Sequence, residues 1–197
     1  MRQAKITRTT KETDITLALT LDCSANGVSA GLEGTSGVGF FDHMLGSYAI
    51  HSDSRIELCM TGDLHVDCHH SIEDCGIVLG KAYAQILGNK QGIARFGTAF
   101  VPMDEALAFA SVDISGRPYL VFDAEFRAPM IGDYDCQMTV EFMRALAYNM
   151  GATLHMRAEY ATNDHHITEA LYKAVSRAIA QALEIKGGQI LSAKGVL

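Results

Sequence analysis

Apolar and polar residues alternate one for one over about Ile6 to Thr9 and again from Ile15 to Leu21, which predicts two half-buried strands. The glycine- and serine-rich stretch SANGVSAGLEGTSGVG breaks that alternation and predicts a loop. FFDHMLGSYAIHS then shows helical spacing, RIELCMTGDLHV reads as a strand, and Ser71 to Leu87 reads as a helix. After the turn signal LGNKQG the pattern starts afresh. Strands are predicted at GTAFVP, EALAFASVDIS and YLVFDAEF, followed by a helix at CQMTVEFMRALAYNMG. A strand at TLHMRAEY and a long helix, Ile167 to about Leu183, close the second half.

Both halves thus run strands, helix, strand, helix, and each last helix opens on the same short motif. His69, His70 and Glu73 recur 96 residues later as His165, His166 and Glu169. The preceding helices carry a further donor each, His43 standing 26 residues before His69 and Glu141 standing 24 before His165. We read an internal duplication: an α+β fold, sheets packed on a helical layer, made of two repeats, about 1–92 and 93–197, in one domain. The site then lies between the repeats or between subunits.

The chemistry follows from helix geometry. Residues i and i+4 share a face, whereas neighbours diverge by about 100°. His69 with Glu73, and His165 with Glu169, can each clamp one cation, while His70 and His166 point elsewhere. Two copies suggest two metals, each held by the clamp of one copy and the odd histidine of the other, with His43 and Glu141 as fourth ligands. Nitrogen and oxygen donors without sulfur argue against a zinc-finger-type site and suit Mn²⁺, Fe²⁺ or Zn²⁺ with open positions. The motif is not HExxH, so no zincin protease is implied.

Composition narrows the classes. With 197 residues, 48% of them hydrophobic and only 3 prolines, the chain can bury a sizeable core and is not expected to be disordered. A formal charge of −7 with no basic run disfavours nucleic acid. No apolar run reaches the roughly 18–20 residues that cross a bilayer, and the alternating start lacks a signal-peptide core, so a cytoplasmic chain is expected. The five cysteines, without CxxC spacing, are read as reduced thiols. Arg95, Arg117 and Lys194 are the basic residues placed to meet an anion, and arginine's planar fork suits phosphate. Glu12, in TKETD, reads from local pattern as a surface residue.

The stretches TRTTKETDI, GVGFFDHMLGSYAIHS, GDLHVDCHHSIEDCGIVLG, the long segment from GIARFG to DAEF, LHMRAEYATNDHHITEALYKAVSRAIAQAL and SAKGVL resemble one family over nearly the whole chain. That family is imidazoleglycerol-phosphate dehydratase. The resemblance implies a hydro-lyase of histidine biosynthesis that makes imidazole-acetol phosphate, with two Mn²⁺ per active site stabilising the substrate's imidazolate. It implies trimers assembling into a cubic-symmetry 24-mer. One manganese would take His43, His70, His165 and Glu169; the other would take His69, Glu73, His166 and position 141, often histidine in the family and here Glu141. Glu12 becomes the acid/base on resemblance alone. Arg95, Arg117, Ser192 and Lys194 would hold the phosphate, with Lys173 joining them; the ligating His43, His69, His70 and His165 would also meet the substrate. His51 and His65 stand between substrate contact and structural hydrogen bonding, and His51 is carried with the substrate set. Two other readings stay open: a dinuclear hydrolase, for which a metal separation of about 3.5–4 Å would speak, and a shell protein whose metals staple subunits.

Overall fold

A layer of helices is held between two four-stranded sheets of the same design. The computed structural model describes residues 1–192. The first half runs β1 (Gln3–Thr9), β2 (Thr13–Thr20), a short 3-10 turn (Ser24–Asn26), β3 (Gly31–Thr35), α1 (Gly39–His51), β4 (Arg55–Gly62) and α2 (His69–Leu87). The second runs β5 (Phe96–Met103), β6 (Ala106–Asp113), β7 (Tyr119–Asp123), β8 (Met130–Ile131), β9 (Tyr134–Asp135), α3 (Met138–Met150), β10 (Thr153–Tyr160) and α4 (Asp164–Leu183). The sheet orders β1-β2-β4-β3 and β5-β6-β10-β7 are the same topology written twice. In each, the edge pair β3/β4 or β7/β10 is parallel and the other pairs are antiparallel.

Alternation drives the sheets. In β2 the side chains of Ile15, Leu17 and Leu19 are buried under α2 while Asp14 faces out. In β6 the buried positions are Ala106, Ala108, Ala110 and Val112, mostly small, and α4 lies against them. The larger Phe109 faces outward, flanked by Phe100 at 4.9 Å and by the Arg157 guanidinium at 4.8 Å. α1 packs on α4 and α2 on α3, which brings the two halves together. The α2–α3 approach is very close: a Cβ on Gly80 would sit 2.7 Å from both Leu146 O and Asn149 Cβ, so only glycine fits there. The buried hydroxyls of Tyr48 and Tyr83 hydrogen-bond across α1 and α2 at 3.0 Å. Among the described residues no helix is long and apolar enough to cross a membrane.

Several boundaries differ from the sequence reading. The expected loop after Leu21 contains β3, whose residues are mostly exposed and whose place comes from backbone pairing with β4 rather than from burial. The strand expected to run to Val66 stops at Gly62, because the Asp63 carbonyl takes the Val66 N–H at 2.8 Å and turns the chain. α2 begins two residues before Ser71. α4 begins three before Ile167, because the Asn163 side chain accepts the N–H groups of His165 and His166 and caps the helix. Both motif histidine pairs therefore stand inside the first helical turn. The small β8–β9 hairpin was not anticipated; it lies between β7 and α3.

Candidate metal centre

The N-terminal turns of α2 and α4 carry the doubled motif, and both i,i+4 clamps form. His165 Nε2 lies 3.4 Å from Glu169 Oε2, and His69 Nε2 lies 3.5 Å from Glu73 Oε2. α1 runs beside α4 and brings His43 to the first clamp, its Nε2 3.3 Å from the same Glu169 oxygen. The three donor atoms of His43, His165 and Glu169 all lie within 4.8 Å of one another, the one such group among the described residues. Phe40, one turn from His43, stands edge-on to the His165 ring at 5.0 Å and supports it.

Glu169 is the anchor of this group. It is 6% exposed, and its other oxygen accepts from Lys173 Nζ at 2.7 Å. Burial pushes its carboxyl up, but the Lys173 hydrogen bond and charge, with His43 beside it, outweigh that and hold it below the ordinary value. The group thus offers two imidazole nitrogens and an ionised carboxylate, with no sulfur, which fits a divalent cation of intermediate or hard character. The histidines remain about half exposed, at 53% for the His43 side chain and 43% for His165, so one chain leaves the outer side of the group open.

His70 and His166 turn away from the clamps, as helix geometry required. His70 Nδ1 pairs with Asp63 Oδ2 at 2.9 Å, and its Nε2 faces Glu12 at 3.9 Å. His166 Nδ1 pairs with Glu105 Oε2 at 2.8 Å, and its Nε2 faces Asp104 at 3.7 Å. The Asp63 and Glu105 hydrogen bonds raise both imidazoles above their ordinary value. In return the His166 hydrogen bond draws Glu105 down to about 2. Neither histidine belongs to the His43 group within one chain. Glu141 is engaged by Arg144 and lies outside that group.

The basic residues gather elsewhere. Arg95 grips Asp113 with two nitrogens, at 2.7 and 3.1 Å, and donates to the Leu191 carbonyl at 2.6 Å, tying the tail to the sheet edge. Arg117 reaches the same Asp113 at 3.7 Å and is otherwise exposed. Ser192 follows at the end of the described residues, its N–H on the Ile190 carbonyl at 2.9 Å; Lys194 lies outside them. His51, at the C-terminal end of α1, borders a cleft of about 390 Å³ with Arg2, Asp22 and Arg177. Burial, then Lys173 and Arg177, lower its imidazole below the ordinary value. That cleft does not contain the histidine group, and the donor chemistry rather than the concavity marks the candidate site.

Sequence reasoning missed Asp63, Asp104, Glu105 and Asp113. Glu105 is 61 residues from His166, and Asp113 is 18 from Arg95, so no helical spacing announces either pair.

The family model described as imidazoleglycerol-phosphate dehydratase matches residues 36–179. The protein of that name from Ruminiclostridium cellulolyticum is 49% identical over 100% of both chains. The one from Streptococcus mutans is 50% identical over 100% of both, and that from Methanosarcina mazei 48% over 100% of both. Among solved structures, the Staphylococcus aureus imidazoleglycerol-phosphate dehydratase superposes with a TM-score of 0.82 at 35% identity, covering 93% of this chain and 99% of that one. The Pyrococcus furiosus structure gives 0.82 at 34% identity, covering 98% and 100%. With nearly half of all positions shared with these relatives end to end, and the family model matching most of its length, this chain belongs to the imidazoleglycerol-phosphate dehydratase family.

Proposed function

We propose that this chain is a cytoplasmic hydro-lyase of histidine biosynthesis, converting D-erythro-imidazoleglycerol phosphate to imidazole-acetol phosphate. The observation that carries the proposal is the His43–His165–Glu169 group, built from a motif written twice in a chain of this family. The donor set fits a cation, and the proposed ligands are His43, His70, His165 and Glu169 for one Mn²⁺ and His69, Glu73, His166 and Glu141 for a second. When bound, the two ions would lower the ring N–H pKa of the substrate's imidazole and hold it as imidazolate.

The chain's own residues would do the rest. Glu12 stands at the β1–β2 turn, its backbone N–H on Thr10 Oγ1 at 3.1 Å. Its carboxylate, 3.9 Å from the outward nitrogen of His70, is proposed to take the proton from the carbon next to the carbinol. Glu12 would pass that proton to the carbinol oxygen, which leaves as water as its C–O bond breaks, and the resulting enol becomes the ketone by moving its hydroxyl proton to carbon. Arg95, Arg117, Ser192 and Lys194 are proposed to hold the phosphate, with Asp113 fixing both guanidinium groups. Lys173 and His51 would bound the substrate along α4 and α1.

Half-exposed donors on one chain call for another copy to close the site. The division into two repeats, about 1–92 and 93–197, and assembly into trimers and a 24-mer belong to the same proposal. Exposed Phe96, Phe100 and Tyr119 on the outer face of the second sheet supply apolar area for such contacts. Incubating the Mn²⁺-loaded protein with imidazoleglycerol phosphate should yield the ketone; no ketone from fully loaded protein refutes the proposal. Glu12→Gln should keep its manganese and its assembly while turnover falls at least about a hundredfold. Near-normal turnover rejects Glu12.

A further inference from the structure

The two histidines that leave the clamps share an arrangement that their repeat does not explain. Each gives its Nδ1 to a carboxylate: His70 to Asp63 at 2.9 Å, His166 to Glu105 at 2.8 Å. The carboxylates come from different parts of the fold, Asp63 just after β4 and Glu105 in the turn between β5 and β6. The residue 96 positions after Asp63 is Glu159, which instead pairs with Arg157 at 2.7 Å. The same contact has thus been built twice by separate means.

Glu105 is held by further hydrogen bonds, and Asp63 is confined by burial. Glu105 Oε1 accepts from the Thr162 N–H at 3.2 Å and from its hydroxyl at 3.1 Å. The Asp63 side chain is 15% exposed, and its second oxygen is buried with no hydrogen-bond partner, so its bond to His70 is its one side-chain hydrogen bond among the described residues. An ionised carboxylate only accepts, so it puts the imidazole hydrogen on Nδ1 and leaves the Nε2 lone pair outward. His69 and His165 present their Nε2 atoms to Glu73 and Glu169 instead, without such a partner at Nδ1 among the described residues.

We infer that Asp63 and Glu105 are positioning residues that fix the tautomer and direction of His70 and His166, aiming each Nε2 at a metal clamped by a His/Glu pair of another copy. This rests on the manganese reading above. It adds that the crossing histidines are pre-set in each chain before copies meet, which lowers the ordering cost of closing the site.

The test is Mn²⁺ titration of metal-free protein, with the free ion followed by electron paramagnetic resonance, together with melting of the metal-free samples. Wild-type protein that takes up no Mn²⁺ sinks the manganese reading itself. If wild type binds, Asp63→Asn and Glu105→Gln should each weaken the corresponding site about 10–100-fold, while the metal-free variants still melt in a single cooperative transition. In a His70→Ala background Asp63→Asn should add no further loss, because it acts through that ring. Unaltered affinity in both variants, or a loss that persists without His70, overturns the inference. Should a variant not fold, ¹⁵N spectra of histidine-labelled wild type decide: His70 and His166 must carry their neutral-form hydrogen on Nδ1, and finding it on Nε2 overturns the inference.

Discussion

Replacing Glu169 by glutamine probes the candidate centre most directly. The change keeps the side chain's size and removes one charge. In the native chain this carboxylate is buried, 3.3 Å from His43 Nε2, 3.4 Å from His165 Nε2 and 2.7 Å from Lys173 Nζ. A four-ligand divalent site contributes roughly 10–16 kcal/mol for zinc, or about 2.5–4 kcal/mol per ligand. Manganese stands lowest in the affinity order, so about 2–3 kcal/mol is the fitting share, close to a hundredfold in Kd. A second effect has the same sign: Lys173 loses its counter-charge and its ammonium then opposes the incoming cation. Glu169→Gln should therefore bind Mn²⁺ about a hundredfold more weakly by equilibrium titration, with the two-histidine remnant intact. Lys173→Met separates the two effects. Placed on Glu169→Gln, it removes the ammonium left without a counter-charge and should recover part of the lost Mn²⁺ affinity, whatever it does to KM. If Glu169→Gln retains wild-type affinity to within about threefold, this group is not a metal site.

Other expectations test the frame and the surroundings. Gly80→Ala adds a methyl 2.7 Å from Leu146 O; helix propensity favours alanine by about 1 kcal/mol, but overpacking against backbone costs about 1–3 kcal/mol, so the melting temperature should fall, and a rise would refute the close α2–α3 contact. The Arg2 hydrogen bonds at 2.7 and 2.6 Å hold Asp22 below its ordinary 3.8. A depressed carboxylate contributes stability above that value and loses it as pH falls through the folded pKa. The melting difference between wild type and Arg2→Met should thus be full at pH 7 and shrink below about pH 3.8; a constant difference down to pH 2 contradicts it. Of the five cysteines only Cys59 is exposed, and burial pushes Cys75 up to about 12 and Cys136 to about 11, so a thiol reagent should label one site per native chain and none in Cys59→Ser.

The legible parts of this molecule are those whose information is local. Period-two runs marked β2, β6 and β10, and 3.6-residue spacing marked the four helices, because burial on one face repeats at the period of the element itself. The His/Glu clamps were legible for the same reason, since i,i+4 on a helix is a distance as well as a spacing. β3 was not, because its exposed residues carry no burial pattern and its pairing partner, β4, follows a whole helix later. Glu12 reads locally as a surface residue, and half of its side chain is indeed exposed; resemblance alone singled it out.

By itself, then, the order of amino acids determined the repeated α+β plan and the helix faces that carry His69 with Glu73 and His165 with Glu169. Tertiary structure alone decided that Asp63 and Glu105 take the Nδ1 atoms of His70 and His166, and that Asp113 gathers both Arg95 and Arg117. The reason is geometric. Contacts within one helix follow from its own pitch, whereas contacts between elements depend on how whole sheets and helices pack, and that is settled by the burial of the entire core.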